Sequence, residues 1–196
     1  MGRAWESQQG GAYFSAVLRP PVAPSQAGPL ALVVALGVAR GLETLGVRPL
    51  LKWPNDLLLG SGKLAGVLLE MSAEGDSVEW VVAGVGINIS HPGEPFEGAA
   101  YVSDAVAGVG PARVTAAALD GLAVAYRQWL EGGFEPLRAA WEQRSAMTGR
   151  DVVVSDMSGT VRAAGSVAGV DTEGRLLLSG PSGVEAVVAG EVTLRR

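Results

Sequence analysis

Three short segments of the sequence carry side chains that could do chemistry together. They are Lys52-Trp53-Pro54-Asn55-Asp56, Lys63-Leu64-Ala65-Gly66 and Gly84-Val85-Gly86-Ile87-Asn88. Between them they supply two ammonium groups, one carboxylate, two side-chain amides and several glycines that leave the backbone bare. This combination is suited to holding a nucleotide and its magnesium ion, and it indicates an enzyme.

The charged and amide side chains each have a physical role in such a site. Lys63 follows a glycine-flanked turn and opens an apolar strand, so packing of its neighbours would fix the position of its charge. Asn55 and Asp56 offer hard oxygen ligands of the kind that magnesium accepts beside substrate phosphates. Pro54 fixes φ and removes a backbone donor, which leaves the turn few ways to move.

Taken singly, each segment has a simpler explanation. A Lys-x-Pro-Asn-Asp turn is most often a solvated loop, and Gly-x-Gly at a strand end is most often a bulge or a site of tight packing. The third glycine of a dinucleotide-binding fingerprint is also missing. The three segments in this order nevertheless favour a ligand site, in which Gly84 and Gly86 would let a ligand approach the backbone. Asn88 would offer a donor and an acceptor to a base edge.

Composition limits the alternatives. A chain of 196 residues with 48% hydrophobic content can bury a core, as one main domain with room for a small second unit. A net charge of −5 with only 15 Lys and Arg argues against a general nucleic-acid binder. The absence of cysteine excludes disulfides, thiolate metal sites and a thiol nucleophile, and it fits a cytoplasmic protein.

The N-terminal part of the sequence contains no predicted membrane segment or signal peptide. Residues 20–39 are apolar, but prolines interrupt their first half and Arg40 follows, so a buried helix is expected rather than a membrane span. Arg3 and Glu6 interrupt the N-terminus before a signal-peptide core could form.

The order of the elements indicates how the chemistry would be positioned. Alternation and turn residues predict strands at residues 12–18, 50–53, 57–59, 64–71 and 79–89, with a hairpin turn at residues 60–62. Helices are expected at residues 25–45, 114–130 and 136–145. Residues 91–113 read as a long loop that could close over a ligand, with Phe96 or Tyr101 packing against it. Beyond residue 149, short strands at 151–155, 159–170, 175–178 and 184–188 predict a small antiparallel barrel.

The chain resembles the biotin protein ligase family. The resemblance is carried by the following segments: Gly2-Arg3-Ala-Trp5-x-Ser7, Tyr13-Phe-Ser15 to Leu18-Arg-Pro20, Lys52-Trp-Pro-Asn-Asp56, Lys63-Leu-Ala-Gly66 with Leu68 and Glu70, Gly84-x-Gly-Ile-Asn88 and Gly190-Glu-Val-x-Leu-Arg195. The pair formed by Lys-Trp-Pro-Asn-Asp and Lys-x-Ala-Gly is specific to this family, because the related lipoate ligases share the fold but not the pair. The resemblance implies an α+β fold: a mixed-sheet catalytic domain similar to the class II aminoacyl-tRNA synthetase core at residues 1–147, followed by a Src-homology-3-like barrel at residues 148–196.

The resemblance also implies a reaction and its participants. Biotin and ATP would form biotinyl-adenylate, and a lysine of the biotin carboxyl carrier domain of a carboxylase such as acetyl-CoA carboxylase would then take the biotin. Lys63 would be the catalytic cation, and Asn55 and Asp56 would lie at the magnesium ion. Biotin and ATP would be held by Gly2, Arg3, Trp5, Lys52, Asn55, Asp56, Lys63, Gly66, Leu68, Gly84, Gly86, Ile87, Asn88 and Arg195.

The sequence departs from the family pattern at its start. The family carries an upstream biotin-binding strand and a longer arginine-rich loop, of which only Gly2-Arg3-x-Trp5 matches here, so we expect weakened adenylation. No DNA-binding helix-turn-helix is recognisable, so neither DNA nor a membrane is an expected partner, while a homodimer is compatible with the sequence. Two alternatives stay open: lipoate or octanoate transfer on the same fold, and a non-catalytic protein that binds a ligand or a carrier domain.

Overall fold

A computed structural model describes residues 10–91, 97–156, 158–181 and 183–194. Two five-stranded sheets make up the β-structure of these ranges. The first sheet precedes most of the helical structure in the chain and contains the three sequence segments of interest. The second sheet is formed by the last strands of the chain.

The first sheet is an antiparallel meander closed by the first strand. Its strands are β1 (Ala12–Leu18), β2 (Leu50–Lys52), β3 (Asp56–Leu59), β4 (Gly62–Glu74) and β5 (Ser77–Ile87), in the spatial order β1-β5-β4-β3-β2. The predicted strands and the α+β class are confirmed. The sheet was expected to be mixed, but its five strands pair only antiparallel, and the parallel contacts among the described residues are two isolated bridges, Leu51–Ser145 and Lys63–Ala99. For β2 to β5 the reason for the antiparallel pairing is the short connections. Each of these strands is joined to the next by a turn of two or three residues, and such a turn can only reverse the chain.

Helices cover one face of this sheet. They are α1 (Leu30–Glu43), α2 (Pro111–Gly132) and α3 (Glu135–Glu142), close to the predicted ranges. Helix α1 is buried on nearly all sides because it lies between the sheet and α2. The two helices approach at Gly41 and Gly121: a Cβ atom on Gly41 would collide with the Ala117 carbonyl oxygen, and one on Gly121 with that of Gly37.

The buried position of α1 agrees with the prediction of a core helix. Residues Pro24–Glu43 are long and apolar enough to cross a membrane by length and composition, and this is the one such stretch found among the described residues. Most of this stretch is buried inside the protein. Its apolar side chains are therefore used in packing against the sheet and α2.

The chain returns to the first sheet after α3. The Leu51 N–H donates to the Arg144 carbonyl oxygen at 2.7 Å, and the Ala146 N–H donates to the Leu51 carbonyl oxygen at 2.8 Å. The Arg144 guanidinium also forms a two-pronged ion pair with Glu43 at the end of α1, at 2.7 Å and 2.8 Å. This return covers the outer edge of β2, which would otherwise be an unpaired sheet edge.

The second sheet contains β6 (Asp151–Ser155), β7 (Val161–Val170), β8 (Leu176–Gly180), β9 (Gly183–Val187) and β10 (Glu191–Leu194), in the order β10-β6-β7-β8-β9. Four of these strands match the predicted ones. The fifth, β10, is missing from the predicted elements. The described pairings form an antiparallel sheet, and its closure into a Src-homology-3-like barrel stays a prediction.

Candidate active site

The register of the first sheet brings the three sequence segments into one row. Lys52 pairs with Asp56, Asp56 with Gly66, Gly66 with Gly86, and Gly86 with Tyr13. Directly opposed residues point to the same face of a sheet. The row therefore crosses all five strands on the face opposite the helices, which we call the outer face. At the centre of the row, β4 and β5 contribute Gly66 and Gly86, which have no side chain.

Burial shows which residues point to each face. Ala65, Val67 and Ile87 are 0–2% exposed and belong to the core beneath the helices, whereas Leu68, on the outer face beside Gly84, is 64% exposed. Ile87 was predicted to bind the ligands, and because its side chain is buried, any such contact would have to come from its backbone. Strand alternation directs the side chain into the core, where it supports the sheet from the helix side.

A β-bulge directs Lys63 to the outer face. Leu57 pairs with Ala65 but Leu58 pairs with Lys63, so Leu64 is an extra residue in β4. Leu64 and Ala65 are both buried, and the bulge thereby returns Lys63 to the same face as Asp56. The Lys63 Nζ lies 2.6 Å from Asp56 Oδ1, with 38% and 18% of the two side chains exposed. The ammonium is thus held by a carboxylate at the edge of the glycine positions.

The backbone of Lys63 is fixed from both sides. Its N–H donates to the Gly98 carbonyl oxygen at 2.8 Å, and its carbonyl oxygen accepts from the Ala100 N–H at 2.9 Å. The Asn88 Nδ2 donates to the same carbonyl oxygen at 3.0 Å. One amide hydrogen of Asn88 thus positions Lys63, while the predicted contact of Asn88 with a base edge stays a prediction that its second N–H and its Oδ1 could serve.

The turn that carries Asn55 is fixed to β4 by a reciprocal pair of bonds. The Asn55 Nδ2 donates to the Val67 carbonyl oxygen at 2.6 Å, and the Val67 N–H donates to the Asn55 carbonyl oxygen at 2.9 Å. The preceding Trp53–Pro54 peptide bond is cis, and Trp53 is 2% exposed. The Asn55 side chain therefore shapes the turn, and its Oδ1 is the atom that could meet a ligand.

A magnesium ion would find few protein ligands here. The described residues contain no group of three or more His, Asp, Glu or Cys side chains that could hold a metal. Asp56 offers one carboxylate, of which Oδ1 is paired with Lys63, and Asn55 offers Oδ1. This donor set fits an ion that takes most of its ligands from phosphates and water.

The predicted loop at residues 91–113 contains regular structure among its described residues. Val102–Asp104 form a 3-10 turn, and α2 begins at Pro111. Tyr101 is 3% exposed, and its ring centroid lies 4.2 Å from that of His91, so it is packed within its own segment. Burial acts to raise the pKa of Asp104, but hydrogen bonds from the Tyr101 N–H and from His91 outweigh it and lower that pKa. Phe96 lies outside the described residues.

The structure thus brings together seven of the ten predicted site residues that it describes. Lys52, Asp56, Lys63, Gly66, Leu68, Gly84 and Gly86 share the outer face. Gly2, Arg3, Trp5 and Arg195 lie outside the described residues. Tyr13 lies at the end of the row and was not among the predicted site residues, because its place follows from the pairing of β1 with β5, which has no local sequence signal.

Comparisons with known proteins agree with these motifs. The model of the biotin/lipoate A/B protein ligase family matches residues 1–88. The chain is 36% identical over 203 residues to the biotin–[acetyl-CoA-carboxylase] ligase of Paracoccus denitrificans, covering 97% of this chain and 83% of that protein. It is 33% identical over 202 residues to the bifunctional ligase/repressor BirA of Bacillus subtilis, covering 99% of this chain and 62% of that protein.

The fold is also that of solved ligases. The biotin protein ligase of Aquifex aeolicus in complex with biotin and ATP superimposes with a TM-score of 0.83 at 27% identity, covering all of this chain and 82% of that one. The unliganded form of the same enzyme gives a TM-score of 0.82 at 26% identity. The sequence motifs, the relatives and the fold point to the same group of proteins. The chain belongs to the biotin protein ligase family.

Proposed function

We propose that the protein activates biotin with ATP and transfers it to a lysine of a carboxylase biotin-carrier domain. In the first step a biotin carboxylate oxygen attacks the α-phosphorus of ATP, and the bond to the β-phosphate breaks, which releases pyrophosphate. In the second step the lysine amine attacks the carbonyl carbon of biotinyl-adenylate, and AMP leaves. The similarity to ligases at 33–36% identity supports this proposal.

The observation that carries the proposal is the Lys63–Asp56 pair beside the glycine positions of β4 and β5. Adenylation concentrates negative charge at the α-phosphate, and a cation already fixed there stabilises that charge in the transition state. Lys63 is fixed at its ammonium by Asp56 and at its carbonyl oxygen by Asn88. Such preorganisation is what a charge-stabilising group requires.

The other residues of the outer face would bind and orient the substrates. Gly66, Gly84 and Gly86 would let the ligands lie close to the backbone of β4 and β5, because a glycine adds no side chain above the sheet. Lys52 would add a second positive charge for the phosphates. A bound magnesium ion would neutralise phosphate charge, and Asp56 and Asn55 are the residues that would hold it.

The finer parts of the proposal concern partners and organisation. The acceptor would be a carrier domain of acetyl-CoA carboxylase or a similar carboxylase, met in the cytoplasm. The catalytic residues would belong to a unit ending near residue 147, and residues 148–196 would form the small second domain. The 36% identity to a biotin–[acetyl-CoA-carboxylase] ligase over 203 residues supports a carboxylase carrier domain as the acceptor. The two separate sheets support the division of the chain into two domains.

The experiment compares three acids under one assay. Pyrophosphate release would be measured with biotin, lipoate or octanoate in the presence of ATP and magnesium, and biotin transfer to a purified carrier domain would be followed by streptavidin detection. We expect release and transfer with biotin alone. Equal release with lipoate or octanoate, or no release with any acid, would overturn the proposal.

The lysine content of the chain allows a second readout of the same site. Lys52 and Lys63 are the only two lysines in the sequence. Amine labelling followed by peptide mass mapping therefore reports on this site with little background. ATP with biotin should protect Lys63 from labelling, relative to the same protein without these ligands. Unchanged labelling of Lys63 would contradict its placement at the phosphates.

A further inference from the structure

A residue of the second sheet reaches the motif turn of the first. The Trp53 Nε1 donates to the Gly174 carbonyl oxygen at 2.9 Å, across 121 positions of the sequence. Trp53 is 2% exposed, and it lies in the turn between Lys52 and Asp56. A buried indole N–H needs an acceptor, so this bond fixes where the turn sits.

The acceptor belongs to the β7–β8 turn, residues 171–175, which is itself shaped by one carboxylate. The Asp171 Oδ1 accepts from the Glu173 N–H at 3.0 Å and from the Arg175 N–H at 2.9 Å, and Oδ2 accepts from the Arg175 Nε at 2.6 Å. Gly174 has φ of +79°, a conformation that favours glycine. The shape of the turn is therefore defined by contacts within the turn and not by Trp53.

The β7–β8 turn is also seated against the start of α1. A Cβ atom on Gly174 would lie 2.8 Å from the Pro29 Cα, and one on Gly28 would lie 2.9 Å from the Glu173 carbonyl oxygen. Both contacts are with backbone atoms, so a side chain at either glycine would force the backbone to move. The turn is thus held between α1 and Trp53, with no room to shift toward the helix.

We infer that the β7–β8 turn is a positioning element of the active site, acting through Trp53 on Lys52 and Asp56. This inference rests on the proposed function, because it assigns a catalytic consequence to a contact between the two sheets. Trp53 and Gly174 do not touch the reacting atoms. They set the position of the turn that carries the charged groups, and a displacement of about 1 Å can cost a large factor in rate.

The second sheet supplies a matched control turn. Asp156, in the β6–β7 turn, accepts from the Ser158 N–H at 2.8 Å, the Thr160 N–H at 3.1 Å and the Arg162 Nε at 2.7 Å. Its described hydrogen bonds all go to residues in the turn or at the start of β7, up to Arg162. Asp171→Ala and Asp156→Ala therefore remove the same kind of clamp, but only the first clamp shapes the turn that contacts Trp53.

A second pair of variants tests the indole itself. Trp53→Phe removes the N–H that reaches Gly174 and keeps an aromatic ring in the core. Trp141→Phe makes the same change at a residue that is 1% exposed and whose Nε1 has no hydrogen-bond acceptor among the described residues. Both variants lose similar packing, so a difference between them reports on the hydrogen bond.

The first readout is hydrogen exchange of the peptide that covers residues 50–59, which needs no catalytic activity. We expect about tenfold faster exchange in Asp171→Ala and Trp53→Phe, because the turn loses an anchor, and no change in the two controls. Unchanged exchange in Trp53→Phe would overturn the inference, even if Asp171→Ala proves too unstable to measure. A wild-type protein that makes no biotinyl-adenylate would refute the proposed function and leave this readout intact.

The second readout is the KM for ATP in biotinyl-adenylate formation. A loss of folded protein lowers the apparent kcat and leaves KM unchanged, whereas a displaced turn changes both. We expect KM for ATP to rise about tenfold in Asp171→Ala and Trp53→Phe and to stay within about twofold in the controls. Equal KM values in all four variants would overturn the catalytic part of the inference.

Discussion

Replacing Lys63 with alanine should separate catalysis from stability. The ammonium lies 2.6 Å from Asp56 on the outer face of the sheet, where we place the α-phosphate. Loss of one fixed charge-stabilising contact typically costs about 100-fold to 1000-fold in rate, or about 2.7–4 kcal/mol of transition-state stabilisation. Lys63→Ala should therefore reduce biotinyl-adenylate formation by a factor in that range.

The same substitution should hardly change the stability of the fold. The Lys63 side chain is 38% exposed, and ion pairs in contact with solvent contribute about 0–1 kcal/mol to the free energy of unfolding. Its backbone hydrogen bonds to Gly98 and Ala100 do not depend on the side chain. Urea unfolding of Lys63→Ala should thus lie within about 1 kcal/mol of wild type.

Two further variants serve as controls for the predicted effect of Lys63→Ala on the rate. Lys63→Arg keeps the charge and should retain more of the rate than alanine, while Asp56→Asn should weaken the hold on the ammonium without removing it. The assay is single-turnover formation of biotinyl-adenylate with saturating biotin and ATP. A wild-type rate in Lys63→Ala would refute the reasoning, and so would a rate loss that merely follows a loss of folded protein.

Three further predictions concern the scaffold. Gly121→Ala should raise the energy of the α1–α2 contact by about 1–3 kcal/mol, which about 1 kcal/mol of helix propensity reduces to a net loss of about 0–2 kcal/mol, and a melting temperature above wild type would contradict it. Glu43→Gln should lower thermal stability by weakening the two-pronged pair that holds Arg144, and this loss should be smaller at high salt if the pair is electrostatic. The Ser158 hydroxyl is the largest cause that lowers the pKa of Asp156 from 3.8 to about 2, so the carboxylate stabilises the fold above pH 4 and loses that effect as pH falls toward 2. Thermal melts of wild type and Asp156→Asn should therefore converge over that interval, and a constant difference would argue against the pKa shift.

Much of the first sheet could be predicted because its signals are local. The turn residues at Gly60 and Gly75 adopt positive φ, and the alternation between the turns gave the strands of the meander. The sequence motifs also assigned Asp56 and Lys63 to one ligand site. Their 2.6 Å contact confirms that they meet, although their roles toward a ligand stay predictions.

Other features depend on pairing that the sequence does not show. The strands from β2 to β5 pair antiparallel because hairpin turns connect them, whereas the antiparallel pairing of β1 with β5 joins strands far apart in the sequence and has no local signal. Lys63 points to the outer face of the sheet only because of the bulge at Leu64. Strict alternation along β4 would place the Lys63 side chain on the opposite face. Asn55 and Asn88 were predicted as ligand contacts, which stays a prediction; each also donates one amide hydrogen to a backbone carbonyl oxygen that only the folded chain brings near.

The return of the chain to β2 has a consequence for synthesis on the ribosome. Leu51 receives its outer partners only when residues 144–146 have been made, roughly 95 residues later. At about 5–20 residues per second, that interval lasts about 5–20 seconds. During this time the edge of β2, with the 42% exposed Leu50 beside it, has no neighbour from its own chain. Nascent chains are therefore most exposed to edge-to-edge association before residue 146 emerges, and a pause in translation upstream of this point would lengthen that period.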